Sequence, residues 1–294
     1  MNTKTIQQQL QEIIQKLQKN IPNTTQAEQE AWWLLEKVTG LPKAIMITKG
    51  SLHLNVSQQK MLNNCIDQRV LEKKPLQYIL GTVPFCGLTI DVLPPLLIPR
   101  PETEEWVTWL INKIHALPLE PIKILDLCTG TGCIGLALAA NLTHAQVSAT
   151  DNNPTAISCA QNNQMKNDIK NITFYIGDLF SALPPKFTCD LIVSNPPYLS
   201  IQEYANASED VKNWEDISAL VAPDNGLAFY KQILEKAPIF LSNSMLKKYN
   251  FPTLVFEIGP AQNHIEKIIA QHQITSFQVF HDMHKQRRWV ALQI

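Results

Sequence analysis

Near residue 120 the hydrophobic pattern of the chain changes period. From residue 1 to about 75 apolar residues recur every three or four positions, as on helices; beyond residue 120 short apolar runs alternate with helical stretches. The runs IKILDL (122–127), AQVSATD (145–151), ITFYIGD (172–178), DLIVSN (190–195) and TLVFEIG (253–259) have the length and continuous apolar character of buried strands. SFQVF (276–280) and RWVALQI (288–294) add a final pair. Strand, turn and helix in repetition predict a mostly parallel sheet covered on both faces, because parallel neighbours must be joined by a crossover. Ligands of such sheets bind at the carboxyl ends of the strands, and that is where the polar residues of these runs gather.

Ahead of this region, residues 1–75 read as a small helical bundle. Ile6, Leu10, Ile13, Ile14 and Leu17 share one helical face. A second helix is expected from about Ala27 to Val38, stopped by Gly40, and a third from about Ser57 to Leu71 with Met61, Leu62, Cys65, Ile66 and Val70 on one face. Trp32 and Trp33 read as packing residues. Between the parts, residues 76–98 read as a β-hairpin linker, since Leu88, Ile90 and Val92 alternate with Thr89 and Asp91. The catalytic domain is then expected over 99–294, entered through a proline-rich turn and a helix starting near Glu102.

Bulk properties narrow the class. The 25 Lys and Arg balance 26 Asp and Glu, so no global basic field would gather nucleic acid. No run of eighteen apolar residues spans a membrane, and the N-terminus lacks the apolar core of a signal peptide; the expectation is a cytoplasmic, monomeric protein. Six cysteines without a CxxC pair fit reduced, buried thiols. Cys128 and Cys133 have no His or Cys at zinc-like spacing around them, so no metal is expected.

The first strand runs into DLCTGTGCIG, where Gly130, Gly132 and Gly135 allow a tight turn and close backbone approach to a ligand. Dinucleotide and S-adenosylmethionine sites both use such a turn. Asp151 ends the second strand about twenty residues past Gly132, the spacing at which an acid meets a ribose diol. Asp178 is placed to accept from an adenine amino group, with Leu179 against the ring. Asp126, one residue before the turn, suits an ammonium group. A pyrophosphate would be repelled by it, whereas S-adenosylmethionine carries both an ammonium and a sulfonium, so electrostatics favours the methyl donor.

SNPPY ends the fourth strand. Asn195 precedes a proline and is held extended, while Pro196 and Pro197 fix φ and remove two backbone donors. The product is a stiff ledge with two acceptors, the Asn195 side-chain oxygen and the Pro196 carbonyl, able to grip a planar NH2 group beside the aromatic wall of Tyr198. Such a nitrogen is a poor nucleophile, and no Lys or His base stands in the motif. Alignment and charge stabilisation by Asn195 and Pro196 are therefore the expected catalytic means.

DLCTGTG, SNPPY, LIPRPETE, PLQYILG and VFEIGPAQ, in this chain, resemble the release factor glutamine methyltransferases of the PrmC or HemK type, over nearly the whole length. The resemblance implies a class I S-adenosylmethionine-dependent methyltransferase: a Rossmann-like α/β fold with a seven-stranded, mostly parallel sheet and a small N-terminal helical domain. It implies methyl transfer from S-adenosylmethionine to the side-chain N5 of the glutamine in the Gly-Gly-Gln loop of class 1 peptide chain release factors, without a metal. It places cofactor contacts on Cys128, Thr129, Gly130, Thr131, Gly132, Asp151 and Leu179, the substrate ledge on Asn195, Pro196, Pro197 and Tyr198, and release factor docking on the helical domain.

Three departures from the family pattern stand out. Cys128 replaces a glycine, which a small side chain tolerates if its φ is negative; Asp216 replaces a proline; Lys285 replaces a glycine. Arg100 and Glu102 either close the cofactor site or form an ion pair that fixes the proline-rich turn. SNPPY is shared with adenine N6 methyltransferases of nucleic acids, but a flipped base needs a basic track. The stretch from Leu199 to Asn225, read as a long loop, instead holds Glu203, Glu209, Asp210, Glu215, Asp216 and Asp224 against Lys212, so direct nucleic-acid binding is not expected. A non-catalytic translation-factor binding protein is the reading from another class, and the set Asp126, Asp151 and Asn195 argues against it.

Overall fold

The computed structural model describes residues 4–49, 52–118, 120–242 and 245–294. It divides into two compact units, Met1–Thr82 with Ser208–Trp214, and Val83–Ala207 with Glu215–Ile294.

The helical unit is built around Ile6–Leu17, Thr24–Thr39 and Val56–Val70. Each begins on a side-chain cap: Thr5 and Asn55 form capping boxes with Gln8 and Gln58, and the Asn23 side chain accepts from the Gln26 amide. The second starts at Thr24 and not at Ala27, because Asn23 supplies the acceptor that the first turn needs. Gly40, in the left-handed conformation at φ 68°, ends it. Ile6, Leu10, Ile13, Leu34, Leu35, Leu62 and Ile66 form the core. Two expectations on packing fail here. Met61 is 42% exposed and Trp33 is 40% exposed, whereas their neighbours Leu62 and Trp32 are buried. Adjacent helical residues point about 100° apart, and Met61 and Trp33 fall at the edge of their helices' apolar faces, where they turn toward solvent. Lys43–Thr48 and Leu76–Leu80 are helices too short for periodicity to announce. Glu209–Trp214 completes the unit: Lys73 pairs with Glu209, and the Trp214 indole N–H donates to the Glu72 carbonyl at 3.1 Å.

The second unit opens with the hairpin of β1 (Thr82–Phe85) and β2 (Leu88–Asp91), in which Phe85 and Ile90 are buried. The main sheet comprises β3 (Ile122–Leu127), β4 (Ala145–Asp151), β5 (Ile172–Ile176), β6 (Leu191–Ser194), β7 (Leu254–Glu257), β8 (Ser276–His281) and β9 (Arg287–Gln293). Its order is β5-β4-β3-β6-β7-β9-β8. The first five strands are parallel, and β9 runs antiparallel between β7 and β8. Every residue of β6 and β7 is buried, so both sheet faces are covered there, as their unbroken apolar sequence requires.

The order reverses beside β3, between β4 and β6, which leaves a crevice beyond the carboxyl ends of these strands. The segment following Ser200, expected as a loop, carries short helices at Ile201–Ala205, Glu209–Trp214 and Ile217–Ala219, the first capped reciprocally by Ser200 and Glu203. Several of its acids are paired within their own unit: Glu209 with Lys73, Glu215 with Arg100 and Asp224 with Lys231. Among the described residues no helix is long and apolar enough to cross a membrane.

Candidate active site

The turn after β3 is organised around Asp126, which is fully buried. Its Oδ2 accepts from the Thr129 hydroxyl at 2.5 Å and the Gly135 amide at 2.9 Å, while Oδ1 has no hydrogen-bond partner. Burial pushes this carboxyl up to about 7, against the pull of the two donors. Thr129 and Thr131 are also buried, and the Thr131 carbonyl accepts from the buried Asn163 side chain at 3.0 Å. Asn163 exchanges further hydrogen bonds with the Asp91 backbone, tying β2 to the turn.

The glycines of the turn do different work. Gly130 has open space where a Cβ would stand, whereas a Cβ on Gly132 would lie 2.8 Å from Ala160 Cβ and one on Gly135 would lie 3.0 Å from Asp126 Oδ2. Gly132 and Gly135 thus serve close packing, and Gly130 leaves the backbone accessible. Cys128 is half-buried with φ at 60°, so the condition of a negative φ is not met: the turn imposes the left-handed conformation on a residue that has a Cβ.

A cleft of about 690 Å³, open to solvent, lies over these strand ends. Cys128, Gly130, Asp151, Asp178, Leu179, Asn195 and Pro197 all line it, which brings four separate strand ends together. Asp126, Thr129, Thr131, Gly132, Pro196 and Tyr198 are not among its lining residues. Asp151 Oδ2 accepts from the Gly130 amide at 2.8 Å and Oδ1 from the Asn153 amide at 2.9 Å. Burial raises this carboxyl and the two amides oppose the rise. Each oxygen keeps a second acceptor site. Leu179 has φ at 45°, a conformation that a bulky residue holds only when its surroundings enforce it.

Sequence reasoning did not find Leu96, Leu97, Ala156, Ser218, Ala219 and Phe229, which supply much of the remaining wall. Leu96 packs with Ala156 and Cys159, and Asp216 links the same side by donating its amide to the Pro95 carbonyl at 2.7 Å. Asp216 also accepts from the Ser218 amide at 2.9 Å, a capping role open to an aspartate. Arg100 pairs with the buried Glu215 at 2.5 Å and not with Glu102. Its partner lies beyond the ledge in sequence, where no local pattern points to it.

The ledge itself is braced from behind. The Tyr198 amide donates to the Leu220 carbonyl at 3.1 Å, and its carbonyl accepts from the Gln262 side chain at 2.7 Å. A Cβ on Gly259 would meet the Tyr198 ring at 2.9 Å, so that glycine makes room for the ring. Tyr198 packs against the core, and burial followed by the nearby Glu257 charge keeps its hydroxyl protonated, well above the usual phenol range. Asn195 Nδ2 donates to Thr103 Oγ1 at 3.3 Å.

Residues 8–81 match the PrmC N-terminal domain and residues 108–211 the methyltransferase small domain. The release factor glutamine methyltransferase of Thermodesulfovibrio yellowstonii is 35% identical over 254 residues, 86% of this chain and 85% of that protein. This chain belongs to the release factor glutamine methyltransferase family. The Escherichia coli member is 37% identical over 78% of this chain and 79% of its own, and the Geobacter sulfurreducens member 36% over 74% of each. Among solved structures, the hMettl16 catalytic domain in complex with a MAT2A 3′UTR hairpin superposes with a TM-score of 0.51 at 19% identity, covering 83% of both chains. That likeness extends to the fold. Among the described residues no cluster of three or more His, Cys, Asp or Glu could hold a metal ion.

Proposed function

We propose that the protein transfers a methyl group from S-adenosylmethionine to the side-chain N5 of the glutamine in the Gly-Gly-Gln loop of class 1 peptide chain release factors. The observation that carries this reading is one cleft lined by Gly130, Asp151 and Leu179 together with Asn195 and Pro197. The donor fits the residues present: Gly130 leaves its backbone open, Asp151 retains acceptor sites for two hydroxyls, and Asp178 and Leu179 offer an acceptor and an apolar contact for a purine. When bound, S-adenosylmethionine supplies an electrophilic methyl carbon on a positively charged sulfur.

The work of the protein is then positional. An amide nitrogen has a delocalised lone pair, and Tyr198 stays protonated, so no strong base activates it. Asn195 and the Pro196 carbonyl hold the carboxamide and stabilise positive charge growing on its nitrogen, while Pro196 and Pro197 keep the two acceptors at a fixed separation. Alignment of this kind is worth about 7–11 kcal/mol, against roughly 1–3 kcal/mol for one hydrogen bond, so rigidity outweighs any single contact. The helical unit docks the release factor, with the exposed Trp33, Ile45 and Ile47 as apolar surface for it. On this reading the enzyme is a cytoplasmic monomer that needs no metal.

The test is purified protein with labelled methyl donor, offered intact release factors, DNA and rRNA separately. Label is expected on a release factor glutamine alone; label confined to nucleic acid overturns the proposal. Asn195→Ala is expected to lower kcat at least roughly a hundredfold with donor affinity nearly unchanged, the pattern of an interaction made with the substrate only.

A further inference from the structure

Asn195 reaches the cleft from the end of β6, and a carboxamide there can face the cleft with either its oxygen or its NH2 group. Only the oxygen serves as an acceptor. The choice is made one residue behind it. Thr103, in the helix Pro101–His115, has a buried side chain whose hydroxyl donates to Glu257 Oε2 at 2.6 Å. The same carboxylate oxygen accepts from the Trp106 indole N–H at 2.9 Å, and Tyr198 OH stands 3.5 Å from Oε1. Glu257, at the end of β7, is 1% exposed. Burial raises its carboxyl, while the Thr103 and Trp106 donors and the Arg288 charge favour the ionised form.

A hydroxyl has one proton. With that proton on Glu257, Thr103 Oγ1 has only lone pairs to offer Asn195, which must therefore turn its Nδ2 toward Thr103, as it does at 3.3 Å. The reversed carboxamide would require Thr103 to donate to Asn195 and give up its bond to a carboxylate. Glu257 Oε2 also accepts from Trp106, so it is an acceptor whether or not the carboxyl is ionised, and the short 2.6 Å bond from Thr103 prevails over the 3.3 Å contact with Asn195.

We infer that Thr103 is a positioning residue, its hydroxyl oriented by Glu257, that holds the Asn195 carboxamide with its oxygen toward the substrate. This rests on the reading of Asn195 as the substrate acceptor. Trp106 completes the device: its N–H can only donate, which holds the carboxylate in place for Thr103.

The experiment is a double-mutant cycle on the full-length enzyme, with release factor methylation and donor binding measured on each variant. Thr103→Val removes the hydroxyl at similar volume and is expected to lower kcat roughly tenfold, the worth of about one oriented hydrogen bond, with donor Kd within about twofold of wild type. Thr103→Ser is expected to restore most of the rate. In the Asn195→Ala background, where no carboxamide remains to orient, Thr103→Val should cost nothing further. An equal loss in both backgrounds, or an unchanged kcat for Thr103→Val alone, overturns the inference. Full activity of Asn195→Ala by itself would instead sink the underlying functional reading. Should Thr103→Val fail to fold, as judged by thermal unfolding, Thr103→Ala replaces it in the same cycle with the same expectations.

Discussion

A Cβ built on Gly226 would lie 2.0 Å from the carbonyl oxygen of Tyr198. The turn that starts the helix Ala228–Phe240 is thus pressed against the backbone of the ledge, and Gly226 also has φ at 83°. Gly226→Ala combines backbone strain with an overlap that no side-chain rotation relieves. We expect a loss of at least about 2 kcal/mol, together with a displaced ledge and reduced turnover. Urea denaturation checks the first and methylation kinetics the second; an unchanged midpoint would show that the turn yields freely.

Asp151 holds the Gly130 amide while facing the cleft. Asp151→Ala should weaken donor binding by about 2–4 kcal/mol, because hydrogen bonds to a charged acceptor contribute roughly 1.5–3 kcal/mol each and the turn loses an anchor as well. Calorimetric titration with the donor reads this directly. A Kd within a few-fold of wild type would remove Asp151 from the proposed site.

Asp126 gives stability a pH dependence of unusual sign. Its folded-state carboxyl is raised to about 7 by burial, above its unfolded value, so the folded chain binds the extra proton. The native state therefore loses stability from this group as pH rises from about 4 to 7, by roughly 4 kcal/mol in total. Acidification within that window restores it. Asp126→Asn should flatten this part of the profile, whatever its constant cost, and thermal unfolding at a series of pH values in both proteins provides the comparison.

Cys128 occupies the left-handed region, where a Cβ costs about 1–2 kcal/mol. Exchange for glycine normally destabilises through the greater freedom of the unfolded chain, but here relief of strain opposes that loss. Cys128→Gly is expected to leave stability unchanged or raise it by up to about 1 kcal/mol, with donor affinity retained. A clear drop in melting temperature would mean that the thiol's packing against the core outweighs the strain.

Much of this molecule was legible in its sequence, for identifiable reasons. The seven sheet strands fall within two residues of the runs read from the chain, because a strand buried on both faces has to be apolar throughout and a crossover has to follow it. The ends of the helices Thr24–Thr39 and Pro101–His115 were marked by Gly40 and by the proline-rich entry, where backbone chemistry is local. The positions of Gly130, Asp151, Leu179 and Asn195 at one cleft follow from the same rule, since each sits at a strand end of one parallel sheet.

What the sequence determined by itself was therefore whatever depends on neighbours along the chain: period, caps, turn residues and the rigidity of Asn195-Pro196-Pro197. Tertiary structure decided the partners. Thr103 meets Glu257 across 154 residues and Arg100 meets Glu215 across 115, and which side of a helix Met61 or Trp33 presents depends on what the fold places beside it. The same holds for Cys128, whose φ is set by the turn it closes and not by its own preference. A hydrogen bond between distant segments leaves no periodicity in either of them, so the orientation of the Asn195 carboxamide emerges only once β6, β7 and the helix behind them are packed together.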